Sequence, residues 1–468
     1  MFLKNIQTVT NKIKDANLLK KYHQNLVYDY TEYPTKGNWN LNFKDEDYKK
    51  ALETWLPANP ESPILFYIHT PFCEQLCYFC LCSKEITQDY EKVKEYLYNY
   101  LYKELDILFN FLEKKKIKLN VREIYFGGGS PTYYKNLEFE NLTKKLKSYF
   151  NFNNIGDWTV EIDPRRVDEQ KLLFYRTCGV NRISFGVQDF DVSVQERINR
   201  IQPPELLHNL LTPKVRQEYP AFNFDLLVGL PGQTPEGMEK TMDIVINLRP
   251  TQLQTMMMHY KPNTRKYMIK MLKDGPLPDF YDRKILYAIA EKKLLEAGYT
   301  KTGYESYALP GDPIEKNYKN KKTFYGPLGA QKGDVTNFIS VGSSAHGNLA
   351  DDYYFQNYYE QNLYREALDA NKLPIYRGIK LSEDDKIRRY IVKNLRTYFE
   401  INYLDVNKKF AINFSELFKK NLEQLGSFAD DGLIKISDHS LSITELGIQF
   451  SPQIANIFDA YNPAELNY

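Results

Sequence analysis

From residue 61 onward, short apolar runs alternate with amphipathic stretches, and that alternation sets the expected fold. The short apolar runs at 65–69, 123–126, 159–162, 182–187, 223–228 and 253–259 read as strands. Between them, residues 90–118, 137–149, 168–178 and 235–248 carry apolar side chains at helical spacing. Strands separated by helices of that length predict βαβ units and a parallel sheet. Six such units make an α/β fold, an incomplete (β/α)6 barrel open on one side, with working residues expected at the C-terminal ends of its strands.

Beyond the barrel the pattern changes. Residues 266–375 hold a helical stretch near 282–297, a polar basic loop at 316–322 and a glycine-punctuated, strand-like segment ending at Gly347. Residues 380–460 read as helices followed by a small ribbon at 433–437 and 441–444, a winged-helix pattern. The expected division is a leader over 1–60, the barrel core over 61–265, a substrate-side extension over 266–375 and a mainly helical auxiliary domain over 376–468.

Charge narrows the function. With 62 Lys plus Arg against 60 Asp plus Glu among 468 residues, the net charge of +2 predicts no general affinity for nucleic acid or anionic membrane. Together with Asp430-Asp431, it favours a lid over substrate as the role of the winged-helix pattern. The N-terminus, Met1-Phe-Leu-Lys-Asn-Ile-Gln, lacks the basic-then-apolar order of a signal peptide, and no run approaches the ~18 apolar residues of a membrane span. A cytoplasmic location is therefore expected, where thiols stay reduced.

The chemistry concentrates in one loop. Four of the five cysteines, Cys73, Cys77, Cys80 and Cys82, fall within ten residues directly after the first strand. A thiolate triplet spaced C-x3-C-x2-C can hold three irons of a [4Fe–4S] cluster and leave the fourth open, whereas an electron-transfer cluster takes four cysteines. Zinc is a poor rival, because its four-cysteine sites use paired knuckles separated by a longer connection. A disulfide framework is poorer still in a long, cysteine-sparse chain.

Other marked residues fall at strand ends. Gly127-Gly128-Gly129 closes the second strand, where glycines let the backbone approach a ligand and offer its N–H groups. Glu161 ends the third strand, Gln188 the fourth, and Asp225 lies in the fifth. A carboxylate pointing into a barrel mouth is costly to desolvate unless it meets a hydroxyl, amine or cation, which makes Glu161 and Asp225 site candidates. The alternative for each is a helix cap.

The cysteine spacing resembles that of the radical S-adenosylmethionine superfamily. The longer string from Tyr67-Ile-His-Thr-Pro-Phe-Cys73 through Cys77-Tyr-Phe-Cys80-Leu-Cys82 resembles its oxygen-independent coproporphyrinogen III oxidase branch, and Tyr30–Thr35, Tyr376–Leu381 and Asp384–Arg389 extend the resemblance to nearly the whole chain. The resemblance implies that Cys73, Cys77 and Cys80 hold the cluster and that Cys82 does not; on its own, Cys82 reads equally as a small buried hydrophobe. It further implies that Tyr67, Gly128, Gly129, Glu161, Gln188, Arg200 and Asp225 meet S-adenosylmethionine, with Tyr67, Glu161 and Asp225 as the candidate catalytic set.

The implied activity is oxidative decarboxylation of two propionates of coproporphyrinogen III to vinyl groups. It would involve a flavodoxin- or ferredoxin-like electron donor, a monomeric enzyme and a tetrapyrrole or other small-molecule substrate. A substrate with four carboxylates requires a cationic rim, for which Arg388, Arg389 and the lysines of 316–322 are candidates. His69 reads as a buried histidine satisfied by a backbone carbonyl.

Three departures keep alternatives open. Tyr325-Gly-Pro-Leu-Gly329 stands where the oxidases carry a Gln-Gly-Tyr-Thr-Thr stretch associated with a second S-adenosylmethionine, so one or two such molecules are expected. Asn25-Leu-Val-Tyr28 stands in place of a Gly-Pro-Arg. Gly342-Ser-Ser-Ala-His346-Gly347 resembles oxidase-like relatives that transfer a methyl or methylene group (methyltransferases, cyclopropanases) or handle haem. Those relatives, an enzyme that opens a tetrapyrrole, and a haem-binding or trafficking protein without turnover are the alternative functions.

Overall fold

The computed structural model describes residues 21–22, 30–323, 328 and 333–461. All six expected strands form: β1 (Ile64–Thr70), β2 (Val121–Gly128), β3 (Asp157–Ile162), β4 (Arg182–Gln188), β5 (Phe222–Val228) and β6 (Gln252–Met257). Each pairs in parallel with the next. The remaining strands of this sheet are β7 (Thr300–Lys301), β8 (Ser306–Ala308), β9 (Asn337–Val341), β10 (His346–Leu349), β11 (Tyr353–Asn357) and β12 (Ile375–Lys380). Together they form one 12-stranded sheet in the order β12-β11-β10-β9-β1-β2-β3-β4-β5-β6-β8-β7. Its edges, β12 and β7, do not pair with each other, so the barrel is open as expected.

The barrel strands are two-faced. Phe66, Ile68, Ile124, Phe126, Val160, Ile162, Ile183, Phe185 and Phe224 are buried against the surrounding helices in the main apolar core. The alternating positions, Tyr67, His69, Tyr125, Glu161, Ser184, Asn223 and Asp225, face the interior, which is therefore polar. At its N-terminal end the interior is closed by Arg182, 3.7 Å from Asp157, and by Gln252, which donates to Asp312 at 2.7 Å.

Two features depart from the sequence reading. Strand β9 joins the sheet in parallel beside β1, with Tyr67 opposite Ser340, so the barrel gains a wall from the extension. Most of the basic loop at 316–322 is instead a helix, Pro313–Lys319, because Asp312 caps its N-terminus and Pro313 occupies the first turn, where its missing N–H costs nothing.

The C-terminal segment has its own apolar core, built from helix Glu383–Thr397, helix Tyr403–Phe410, the closing helix Ser451–Asn456 and a three-stranded ribbon, β13 (Glu400–Asn402), β14 (Ile434–Ile436) and β15 (Ser440–Ile443). The leader belongs to this core: Tyr30 and Tyr33 are buried in it, the Tyr30 hydroxyl donates to Asp459 at 2.9 Å, and the Tyr33 hydroxyl accepts the Ala460 N–H at 3.1 Å. Asn40 then bridges to Gly378 on the edge strand β12. Among the described residues no helix is long and apolar enough to cross a membrane.

Candidate active site

The cysteine loop leaves β1 and is stapled at both ends. Phe72–Cys73 pairs in parallel with Glu85–Ile86, and Thr87 donates its N–H to the Cys73 carbonyl at 3.1 Å. In between, the Asn199 amide donates to the Leu76 carbonyl at 2.8 Å, and Tyr78 donates its N–H to the Ile198 carbonyl at 3.0 Å. Cys77 is buried, Cys73 and Cys80 are partly so, and Cys82 is the exposed residue of the four, its thiol hydrogen-bonded to that of Cys80. Burial pushes the Cys73 thiol up to about 12, and the Cys80 and Cys77 thiolates push it the same way, so the three sulfurs sense one another.

Cations surround this loop. Arg165 and Arg200 each place a guanidinium 3.7 Å from the Cys77 sulfur, and Asp163 ties the two together at 2.7 and 3.4 Å. Burial alone would raise the Asp163 carboxyl, but Arg200 and Arg165 hold it well below the usual carboxylate range. Arg200 also donates to the Gly186 carbonyl at 2.7 Å and to Gln202 at 3.1 Å, so one side chain links the cysteine loop to the end of β4. A clustered thiolate charge needs such partners.

The strand ends converge next to the loop. Glu161 accepts hydrogen bonds from the Tyr125 hydroxyl at 3.1 Å and the Gly128 N–H at 3.2 Å. Desolvation in the barrel raises its pKa to about 8, with the Asp225 carboxylate adding to the rise. Asp225, raised to about 6 by desolvation, accepts from Asn223 at 2.7 Å and Ser184 at 3.1 Å. Among the described residues neither carboxyl caps a helix or bonds to a cation, and both project into the polar interior. Gln188 has a positive φ of 67°, and its buried Oε1 has no hydrogen-bond partner among the described residues.

The glycines act differently from the expectation that their N–H groups face a ligand. The Gly128 N–H is taken by Glu161 and the Gly129 N–H by the Thr70 carbonyl at 2.7 Å. What demands glycine is crowding. Gly128 has φ +110°, and a Cβ there would lie 2.7 Å from the His69 ring, while one on Gly129 would lie 2.8 Å from the Phe72 carbonyl.

His69 is satisfied as expected. Its Nε2 faces the Ser83 carbonyl at 3.1 Å and must carry the proton, leaving Nδ1 to accept the Tyr67 hydroxyl at 3.0 Å. Burial lowers its pKa to about 4, so it stays neutral. The Tyr67 hydroxyl is thus committed to orienting His69, while its ring lies between Tyr125 and His346, 6.0 and 6.3 Å away.

This site fits an iron–sulfur cluster with S-adenosylmethionine beside it. Three thiols share one stapled loop flanked by guanidinium groups, with two desolvated carboxyl groups nearby and a Gln188 oxygen that is unpartnered among the described residues. Among the described residues no three His, Cys, Asp or Glu side chains converge as on a single metal ion. A cubane binds each thiolate through a different iron, so its sulfurs need not converge.

Comparison with known proteins gives the same picture. Residues 67–245 match the family model of the Radical SAM superfamily, and residues 381–450 that of the HemN C-terminal domain. Over 452 residues the chain is 31% identical to the oxygen-independent coproporphyrinogen III oxidase of Pseudomonas aeruginosa, covering 96% of each chain. It belongs to the oxygen-independent coproporphyrinogen III oxidase family. The Helicobacter pylori member is 32% identical over 435 residues, covering 92% of this chain and 93% of that one. The solved structure of coproporphyrinogen III oxidase (HemN) from Escherichia coli, described as a radical SAM enzyme, superposes with a TM-score of 0.85 at 29% identity, covering 96% of this chain and 99% of that one. Membership brings the family's cofactors, a [4Fe–4S] cluster and S-adenosylmethionine.

Against that family background, the expected cationic rim shifts. Arg388 is engaged by Asp384 at 2.7 Å and the Phe458 carbonyl at 3.0 Å, and Arg389 by the Tyr354 hydroxyl at 2.6 Å and by Asp351. Desolvation keeps the partly buried His346 neutral, and the charges of Lys36 and Arg377 add to it; Lys36 pairs with Glu32 at 3.8 Å, and Arg377 donates to Gln356 at 2.9 Å and to the Lys36 carbonyl at 2.8 Å. Arg377 continues a cross-strand row, His346 opposite Gln356 and Gln356 opposite Arg377. Most of the Tyr325–Gly329 stretch and all of Asn25–Tyr28 lie outside the described residues. Sequence reasoning passed over Asp163, Arg165 and Lys84; Asp163 and Arg165 follow Glu161 by two and four positions, and that proximity was the available signal.

Proposed function

We propose that this chain carries out the oxidative decarboxylation of two propionates of coproporphyrinogen III, giving the divinyl product of anaerobic haem synthesis. The observation that carries the reading is the end-to-end similarity to the oxidases, 96% of both chains in the Pseudomonas case, which extends through the C-terminal segment and not only the cluster-binding core. The cluster and S-adenosylmethionine, when bound, supply a carbon radical that takes hydrogen from the substrate.

The protein's part is to hold and enclose. Cys73, Cys77 and Cys80 are the proposed cluster ligands. Gly128 and Gly129, packed against His69 and the Phe72 carbonyl, form the strand end that the cofactor meets, and Glu161, Asp225, Gln188 and Arg200 receive its amine, hydroxyl and carboxylate groups. Tyr67, fixed through His69, supplies an aromatic wall. Lys36 and Arg377 are the cations offered to substrate carboxylates. Residues 1–60 and 376–468 serve as leader and auxiliary domain, joined through the Tyr30–Asp459 contact. A flavodoxin- or ferredoxin-like protein delivers electrons to a monomeric, cytoplasmic enzyme.

The test is anaerobic incubation of cluster-reconstituted protein with dithionite, S-adenosylmethionine and coproporphyrinogen III, followed by mass spectrometry. Stepwise loss of two carboxyl groups, each with one β-hydrogen and two electrons, supports the oxidase. Formation of 5′-deoxyadenosine without decarboxylation overturns the substrate and retains the radical chemistry.

A further inference from the structure

Lys84 lies just past the last cysteine of the loop, and its ammonium donates three hydrogen bonds: to the Cys80 carbonyl at 3.0 Å, the Cys82 carbonyl at 3.3 Å and the Tyr267 hydroxyl at 3.0 Å. The Tyr267 hydroxyl donates in turn to the same Cys80 carbonyl, and the ammonium sits 4.9 Å over the Tyr267 ring. Arg265 adds a bond to the Leu81 carbonyl at 3.3 Å. Tyr267 belongs to the 3-10 turn Lys266–Leu272, beyond β6, so a separate segment of the chain clamps the lysine in place.

A solvated lysine would rotate freely among water molecules; here all three N–H groups are directed by fixed acceptors, and the charge is held on the Cys80 side of the loop. Cys77, on the other side, has its own cations in Arg165 and Arg200. The cluster binding the three thiolates would therefore be flanked by positive charge from two independent directions.

We propose that Lys84, latched by Tyr267, is a positioning residue that fixes a positive charge beside the Cys80 corner of the cluster and raises the potential at which the cluster accepts its electron. The step concerned is a one-electron reduction by an external donor, in which no bond forms or breaks and the cluster gains one negative charge. Potentials of such clusters follow net charge, hydrogen bonding and solvent exposure, and a fixed cation in a partly desolvated site favours the more negative, reduced state. The proposal rests on the cluster ligands and not on the identity of the substrate, so failure of the substrate assignment leaves it standing.

The test is an anaerobic potentiometric titration of the reconstituted full-length protein, read by electron paramagnetic resonance of the reduced cluster, for the wild type, Lys84→Met, Lys84→Arg and Tyr267→Phe. Lys84→Met should keep its iron and shift to a more negative potential. Lys84→Arg, which keeps the charge, should stay near the wild type, and Tyr267→Phe, which loosens the latch, should shift less than Lys84→Met. An unchanged or more positive potential in Lys84→Met would overturn the proposal. So would a shift of equal size in Lys84→Arg, because the potential would then follow loop geometry and not charge. Loss of iron from either Lys84 variant would assign the lysine to holding the loop together and would overturn the tuning role.

Discussion

The Glu161 carboxylate accepts the Gly128 N–H at 3.2 Å, joining the ends of two adjacent strands beside the cysteine loop. Inside the fold Glu161 keeps its proton up to about pH 8, whereas the unfolded carboxyl releases it near 4.5. The folded state therefore binds the extra proton across that interval, and stability falls as pH rises through it, by at most about 1.4 kcal/mol per pH unit for one group. Glu104, raised to about 7 by burial, acts in the same direction, while His69 and Asp163 act at lower pH. Melting curves of the cofactor-free protein should show a decline from pH 6.5 to 8. Glu161→Gln should flatten that decline and raise the melting temperature at pH 8, while calorimetry shows weakened S-adenosylmethionine binding.

Gly128→Ala should damage both fold and site. The positive φ costs about 1–2 kcal/mol for any residue with a Cβ. Contact with the His69 ring at 2.7 Å adds an overpacking penalty of about 1–3 kcal/mol. Gly311→Ala is the control, since it shares a positive φ but has open space around it and should pay only the backbone cost. Chemical denaturation of the two variants measures the difference.

Cys77→Ala should abolish cluster assembly, read as lost iron content and lost charge-transfer absorbance after reconstitution. Cys82→Ala should leave both intact, because Cys82 lies outside the proposed ligand set. Full absorbance in Cys77→Ala would remove this residue from the ligand set.

Asp225→Ala should weaken S-adenosylmethionine binding by about 1–3 kcal/mol, the scale of one charge-assisted hydrogen bond. It should disturb the fold little, since Asn223 and Ser184 retain each other at 2.9 Å. Unchanged affinity by calorimetry would return Asp225 to a structural role.

The barrel was legible because its short apolar runs alternate with helical stretches; which side of each strand faces in, Tyr67, Tyr125, Glu161 and Asp225 against Phe66, Ile124, Val160 and Phe224, came from the fold. The cysteine ligands were legible because they are local in sequence. What stayed hidden depends on distant pairs. Nothing near β1 announces β9 as its neighbour, and Lys84 and Tyr267 lie 183 positions apart, where spacing carries no information. The glycine run signalled close approach but not its object, since tight contact with His69 and with a ligand demand the same residue type. Helix Pro313–Lys319 was masked by its lysines, and only its cap at Asp312 marks it.

The Tyr30 hydroxyl meets Asp459 across 429 positions of sequence. On the ribosome, the leader must therefore wait for nearly the whole chain before it can dock, and the cysteine loop, although synthesised early, gains its clamps from Asn199, Arg200 and Tyr267 only as those later segments emerge.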